Sequence, residues 1–329
     1  MSGESPKIGT HSGTFHADEA LAIWMLKKLP YYSAATVIRT RDPERLKDCD
    51  IVVDVGGVYD HKQKRYDHHQ RGFDTNLNEG GHDTIKLSSA GLIYKHYGRE
   101  LIRILTARMD LTNQEKELVF FKLYESFIAS IDANDNGIDN WEHAEDATPV
   151  YVVQTDASSR VRDLNPAWNA GHCNMDALFQ EAVKLMGEEF FRIFERIVRS
   201  WLPARHIVQK AYDARRSVHP SGQIMVIGKY CPYGSHLFAI EDGSVEPSVL
   251  YIIWWDNRSG DWKVRAASKT LGSYALKKPL KEAWTGRSGS DLCSIAGKED
   301  LVFCHSSGFI GGAKTEELAV WMAVQSLES

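Results

Sequence analysis

The sequence predicts an α/β protein. A doubly wound, mostly parallel sheet fills the N-terminal half, an α+β module follows, and the active site lies in the cleft between them. Three observations predict this. The first half alternates short apolar runs with helical stripes, the grammar of a parallel sheet. His and Asp clusters fall where those runs end, and open α/β sheets build their sites at the carboxyl ends of strands. The second half replaces the alternation with four strand-like runs and one closing helix. At 329 residues the chain exceeds one ordinary core. We read residues 1–145 as a catalytic domain, 146–205 as a connecting helical region and 206–329 as a substrate-binding domain.

Taken in order, "PKIGT" (6–10) reads as a buried strand ending at His11. "DEALAIWMLKKLP" follows as a helix, with Leu21, Trp24, Met25 and Leu26 on one stripe and Pro30 past its end. "AATVIRT" (34–40) is a second strand and "CDIVVDVGG" (49–57) a third, closed by glycines. "GVYDHKQKRYDHH" is a tight pair of short strands around "HKQK". "KLSSAGLIYKHYG" opens a helix with Ser88 or Ser89 as N-cap, and residues 100–131 are strongly helical up to "IDANDNGID", a polar turn. Residues 142–171 read as a hinge or irregular connection, and 174–201 as a long amphipathic helix. "QIMVIGKY", "SVLYIIWWD", "DWKVRAAS" and "DLVFCHSSG" are strand-like, and "TEELAVWMAVQSL" is the closing helix.

Composition bounds the function. The chain is 43% apolar and 25% charged, as globular proteins are. No apolar run reaches the ~18 residues of a membrane span, and the start has no apolar or Arg-rich amphipathic signal. The five cysteines (49, 173, 231, 293, 304) are odd in number and lack a Cys-x-x-Cys pair. They read as reduced thiols in an intracellular, reducing compartment. A net charge of −5 argues against an all-over basic coat but allows a local basic channel.

Four clusters before residue 144 mix His and Asp: "HSGTFHADE" (His11, His16, Asp18, Glu19), "VVDVGG" (Asp54), "YDHHQ" (Asp67, His68, His69) and "IDANDNG" (Asp132, Asp135). Alone, each has an ordinary explanation: a loop histidine, acids at a helix start, an Asx-rich turn. Together, at the open end of one sheet, they indicate two divalent metal ions. Two metals ~3.5–4 Å apart need a bridging carboxylate, and the pair activates a water while clamping a phosphate. Mixed imidazole and carboxylate ligands suit Mn²⁺, Fe²⁺, Co²⁺ or Zn²⁺ better than Mg²⁺. With no thiolate in the set, Mn²⁺ is favoured, and Mg²⁺, Co²⁺ and Zn²⁺ are the alternatives.

The blocks "HSGTFHADEA", "VVDVGG", "RYDHHQRGF", "KLSSAGLIY", "IDANDNGI" and "HSSGFIGGAKT" resemble the signature of the melanocyte-proliferating-gene-one family. This branch of the DHH phosphoesterase superfamily was once called a metal-dependent protein hydrolase family. The resemblance runs from about residue 7 to the last helix. It implies a DHH-like metal-binding domain in which His11, His16 and Asp18 form the first motif. His16 stands where superfamily members usually have Asp, one residue further from His11. Asp54 would bridge the metals, and His68 would bind the second with Asp18 and Asp132, Asp135 being able to take the last place. Asp67 would orient a histidine, and His69 would face the scissile phosphate. Arg39 and Arg41, in "VIRTRD", could hold that phosphate bidentately. The implied activity is 3′-to-5′ exonuclease action on single-stranded RNA, tied to RNA processing in mitochondrion and nucleus, with the cytoplasm as a further compartment.

The remaining substrate contacts expected are Arg71, Lys86, Ser88 and, in the second domain, Arg265, Gly308, Gly311, Gly312, Thr315 and His305. Gly311-Gly312 reads as a strand-to-helix turn whose free N–H groups can take an anion, with Thr315 capping the helix. Residues 256–287 carry eight Lys or Arg against three acids, interleaved with Trp254, Trp255, Trp262, Tyr274 and Trp284. Basic groups among aromatic rings suit a single-strand groove. Two alternatives stand beside the exonuclease: a hydrolase of small phosphoanhydrides or short (cyclic) oligonucleotides, and a non-catalytic RNA- or nucleotide-binding protein. Protease chemistry is disfavoured, there being no His-Glu-x-x-His. The oligomeric state is open, with a homodimer among the options.

Overall fold

β1 (Lys7–Thr10) lies between β2 (Thr36–Arg39) and β3 (Ile51–Val53) and runs parallel to both. A computed structural model describes residues 5–139 and 152–329. In it the chain divides into two units, Met1–Ile197 and Val198–Ser329.

The first sheet has the order β2-β1-β3-β5-β4, with β4 (Tyr59–Asp60) antiparallel to β5 (Arg65–Tyr66) at one edge. The chain leaves β1 for β2, then returns past β1 to β3. The winding therefore reverses between β1 and β3, where open sheets form a crevice at their carboxyl ends. His11 follows β1 and Asp54 follows β3, so both flank that reversal. The DHH triplet follows β5, next along the same edge.

Local sequence sets this arrangement. Asp42 accepts the Glu44 N–H at 3.0 Å and Pro43 occupies the first turn, which starts α2 (Pro43–Lys47). Leu46 of α2 packs with Cys49 and Val52 against β1 at Gly9, where a Cβ would lie 3.0 Å from Cys49 Sγ. α1 (Ala17–Lys28) begins with Asp18 and Glu19 and ends with Lys27 and Lys28, as the helix dipole favours. It packs against α3 (Ser89–Leu105) and α7 (Met175–Arg196). Between those two run α4 (Asn113–Leu123), a π-type turn (Tyr124–Ile128), α5 (Ala129–Asp135) and the short α6 (Ala157–Arg162). The expected polar turn "IDANDNG" is thus helical as far as Asp135, which places Asp132 and Asp135 one turn apart. Of the expected hinge, residues 142–151 lie outside the described residues; α6 and α7 pack on α1.

The second unit holds α8 (Leu202–Val218), β6 (Ile224–Lys229), α9 (Gly234–Glu241), β7 (Tyr251–Asp256), β8 (Asp261–Ala266), α10 (Gly289–Ala296), β9 (Leu301–Cys304), β10 (Ile310–Ala313) and α11 (Glu316–Leu327). Its sheet, β6-β7-β8-β10-β9, is parallel only between β6 and β7. Side chains alternate across it. Met225, Ile252 and Trp254 pack with Val208 and Leu237 of α8 and α9, whereas Tyr251, Ile253 and Val264 pack with Leu292 and Met322 of α10 and α11. Gly311 and Gly312 correct the sequence reading: they form the middle of β10, between two antiparallel partners, so their backbone groups serve the ladders. The glycines are required by closeness. A Cβ at Gly311 would lie 2.9 Å from Met322 Cε, and one at Gly312 would lie 2.8 Å from Asp261 Oδ2. Thr315 caps α11, accepting from the Leu318 N–H at 3.3 Å.

Candidate metal centre

Asp54 occupies the residue after β3 with φ 58°, a left-handed conformation that Asp and Asn tolerate better than other side chains. That turn points its carboxylate into the crevice. Oδ2 lies 3.3 Å from His11 Nε2 and Oδ1 lies 3.4 Å from His68 Nδ1, so each oxygen faces a different histidine. His11 Nε2 is also 3.1 Å from Glu19 Oε1, and His68 Nε2 is 2.8 Å from Asp135 Oδ2. Three sets of side chains place possible ligand atoms within 4.8 Å of one another: His11, His16, Glu19 and Asp54; Asp54, Asp67, His68 and His69; His16, Asp18 and Asp135. Asp54 joins the first two sets, and His16 joins the first to the third.

The first turn of α3 explains the "KLSSAG" block. Ser89 donates through Oγ to Asp18 Oδ2 at 2.7 Å. Ser88 donates through N and Oγ, and Gly91 through N, to Asp132 Oδ1 at 2.7–3.0 Å. Two buried carboxylates thereby satisfy the free N–H groups of a helix start. A Cβ at Gly91 would lie 2.3 Å from Asp132 Oδ2, so the block is written for this packing. Ser88 is buried and engaged by Asp132, which takes it out of the substrate contacts expected of it.

Electrostatics mark the site as built for cations. Burial, then the charge of Asp18, push the Asp54 carboxyl well above the usual carboxylate range. Burial raises Glu19 to about 8 and Asp132 to about 8. Burial opposes protonation of His11, but Asp54 and Glu19 overcome it and raise the ring to about 10. Asp18 Oδ1, Glu19 Oε2, Asp54 Oδ1 and His68 Nδ1 are buried without a hydrogen-bond partner. Such atoms cost about 1–3 kcal/mol each unless something satisfies them. Hard carboxylate oxygens and imidazole nitrogens, sharing one carboxylate and free of thiolate, fit a pair of divalent cations. The Ser12 carbonyl, 3.3 Å from His11 Nδ1, can hold the ring N–H and leave Nε2 for a metal.

The other expected site residues divide clearly. Asp67 is buried and accepts from the Gly57 N–H at 2.6 Å and the His69 N–H at 3.0 Å, and it pairs with His69 Nδ1 at 2.8 Å. His69 is the member of the triplet that faces outward, its side chain 62% exposed. Arg41 reaches His11, with Nη2 3.3 Å from Nδ1. Arg39 does not hold a free guanidinium toward the metals: it donates to the Gly13 carbonyl at 2.6 Å and the Met175 carbonyl at 3.2 Å, and stacks over Phe179. Its task is to tie the first motif to α7. Arg71 is exposed, and Lys86 lies over the Phe73 ring. In the second unit His305 is exposed beside Phe309, Arg265 lies over the same ring, and Gly308 is pressed against Pro279 and Leu280.

Sequence reasoning did not assign Glu19 as a ligand. The signal was present: His16 and Glu19 have capping-box spacing, and the Glu19 carboxylate folds back to accept the His16 N–H at 2.8 Å, which brings it to His11. Asp132 is absent from the three sets and Asp135 is present. Asp135→Asn is therefore expected to weaken Mn²⁺ binding at least about tenfold. Asp132→Asn should leave it near wild type, because the amide oxygen still accepts from Ser88 and Gly91. Calorimetric titration of both variants with Mn²⁺ decides, and an equal loss in both would put Asp132 among the ligands.

Comparison with known proteins follows the same residues. The model of an uncharacterised protein family, UPF0160, matches residues 7–327. The MYG1 exonuclease of Homo sapiens is 43% identical over 98% of this chain and 86% of its own length. The MYG1 protein of Dictyostelium discoideum is 41% identical over 97% of this chain and 96% of its own. Among solved structures, the pGpG-specific phosphodiesterase PggH of Vibrio cholerae aligns over 98% of both chains at 12% identity and a TM-score of 0.27, too loose a match to bear on chemistry.

Proposed function

The chain belongs to the MYG1 family, the uncharacterised protein family UPF0160, and on that premise we propose that it is a metal-dependent phosphodiesterase, a 3′-to-5′ exonuclease on single-stranded RNA. The observation that carries the reading is Asp54, one buried carboxylate shared by two histidine-bearing sets. The mammalian relatives' name, exonuclease, supports phosphodiester hydrolysis as the reaction.

His11, His16 and Glu19 would hold one cation and Asp18, His68 and Asp135 the other, with Asp54 between them. Bound there, two divalent cations, Mn²⁺ in this reading, supply Lewis acidity at a phosphoryl oxygen and acidify the attacking water. Arg41 and the exposed Arg71 bring positive charge for the developing phosphorane oxygens. His69 is the proton carrier. The hydrogen bond that His69 donates through Nδ1 to Asp67 raises the pKa of the ring and fixes Nδ1, so Nε2 carries a proton outward to the departing oxygen. The second unit supplies the surface that binds the strand. A reducing compartment, whether nucleus, mitochondrion or cytoplasm, agrees with five unpaired cysteines.

The test is hydrolysis of a 5′-labelled single-stranded RNA, resolved nucleotide by nucleotide, with Mn²⁺, Mg²⁺ or chelator. Shortening from the 3′ end that requires Mn²⁺ is expected. Intact RNA alongside cleaved pyrophosphate or dinucleotide would transfer the chemistry to the small-substrate alternative.

A further inference from the structure

The second unit carries an aromatic surface of its own. Exposed apolar side chains scattered singly need no reason, but a group of them does, and three line adjoining cavities here: Tyr230 at 61% exposure, Trp255 at 38% and Tyr274 at 100%. They line two neighbouring cavities. The first, about 320 Å³, is walled by Tyr230, Tyr233 and Tyr274, with Arg265 and Lys277 as cations and Glu241 as its acid. The second, about 580 Å³, is walled by Tyr230, Trp254 and Trp255, with Lys229 and Arg258 as cations and Asp256 as its acid. Tyr230 lines both, so the two cavities adjoin at that residue.

Charge identifies the occupant. Glu241 is neutralised by Lys277 at 2.7 Å, which leaves Arg265 as the uncompensated charge of the first cavity. Asp256 is engaged by the Arg258 backbone N–H at 3.0 Å, and the side chains of Lys229 and Arg258 have no carboxylate partner among the described residues. Both cavities are therefore net cationic, within a chain whose overall charge is −5. Trp254, buried beneath them, supports the floor, with ring centroids 5.5 Å from Tyr230 and 6.1 Å from Tyr233. Flat apolar walls with a cation at each rim match a nucleobase and its phosphate.

We infer that these cavities are two consecutive base-stacking subsites for single-stranded nucleic acid, adjoining at Tyr230. The first takes one base against Tyr274 and Tyr233, and the second takes its neighbour against Trp255, while Arg265, Lys229 and Arg258 hold the linking phosphates. The inference rests on the phosphodiesterase reading for its biological sense but not for its test, which measures binding without turnover.

The experiment uses the full chain in chelator, with fluorescence anisotropy of labelled single-stranded RNA ten nucleotides long and competition by uridine monophosphate, a dinucleotide, and duplex RNA of the same length. Tyr274→Ala is expected to weaken binding of the ten-mer at least about fivefold, and Tyr274→Phe to restore it, since stacking needs the ring and not the hydroxyl. Trp255→Ala should weaken the ten-mer and the dinucleotide similarly but leave the mononucleotide unaffected, because one nucleotide occupies one subsite. Trp168→Ala, an exposed tryptophan of the first unit, should change nothing. Wild-type affinity in both alanine variants would overturn the inference. So would duplex competing as well as single strand, since phosphate attraction alone would then suffice. Cleavage assays on the same wild-type sample keep the two readings apart. Weakened binding in the alanine variants beside a wild type that cleaves no phosphodiester defeats the enzyme and keeps the subsites. Cleavage with unaltered affinity in the alanine variants defeats the subsites and keeps the enzyme.

Discussion

Asp54→Asn is expected to lower the rate of phosphodiester hydrolysis at least about 10³-fold while the fold survives. The expectation comes from geometry. Among the described residues no other side chain belongs to both the His11 set and the His68 set, and each Asp54 oxygen faces a different histidine, at 3.3 and 3.4 Å. An amide keeps one acceptor oxygen and turns the other donor outward as an N–H, which cannot ligate a cation. Asn is also the replacement the backbone accepts, because φ is 58° and most side chains are strained there. Burial, then the charge of Asp18, already disfavours the Asp54 carboxylate, so the metal-free variant, which needs no charge there, should melt no lower than wild type. The measurement pairs the RNA ladder with metal content and a thermal melt. A variant that keeps more than a tenth of the rate and both metals would remove Asp54 from the reaction.

Divalent metal is expected to raise the stability of the protein by about 4 kcal/mol at a thousandfold excess over Kd, which is on the order of 10 °C in melting temperature. The gain should widen with pH, and the sign follows from the folded-state shifts. Glu19 rises from 4.5 to about 8, chiefly through burial. His11 rises from 6.5 to about 10, Asp54 and Glu19 outweighing burial. A raised folded pKa gives stability that is full below the unfolded value and lost as pH climbs through the folded one. Without metal, then, stability should fall from about pH 4.5 to 8 for Glu19 and from about 6.5 to 10 for His11. Metal needs Glu19 ionised and His11 neutral, so its binding releases protons and strengthens over the same range. Melts with Mn²⁺ and with chelator at pH 6 and pH 8.5 test this. A metal increment that shrinks at the higher pH would show that the cluster is not the binding site.

Much of the first unit was legible because its strands are apolar runs and its candidate ligands stand at their ends. The spacing of "PKIGT", "AATVIRT" and "CDIVVDVGG" gave β1, β2 and β3, and with them the positions of His11 and Asp54. Three things were not legible. Asp132 and Asp135 are one helical turn apart, and only their partners, Ser88 and Gly91 for the first and His68 for the second, show that one serves α3 and the other the cluster. Arg39 has the chemistry of a phosphate ligand, and only the placement of Gly13 and Met175 shows that its N–H groups are engaged. β10 contains two adjacent glycines, which read as a turn because glycine punctuates chains. Here they answer to crowding by Phe303, Met322 and Leu280, none of them near in sequence.

Gly312 shows how an uncharged residue can govern a charge. It stands opposite Lys263 on β8, whose ammonium is buried beside Asp261 at 2.8 Å. The Asp261 carboxylate fits there because position 312 has no methyl group; a Cβ would lie 2.8 Å from Oδ2 and 2.8 Å from the Phe303 ring. Alanine would therefore act as an electrostatic mutation. It would push the counter-ion aside and strand a lysine in a medium of low polarity, where breaking a buried pair costs about 3–5 kcal/mol. A residue with no side chain at all is thus the insulator that keeps this buried ion pair intact.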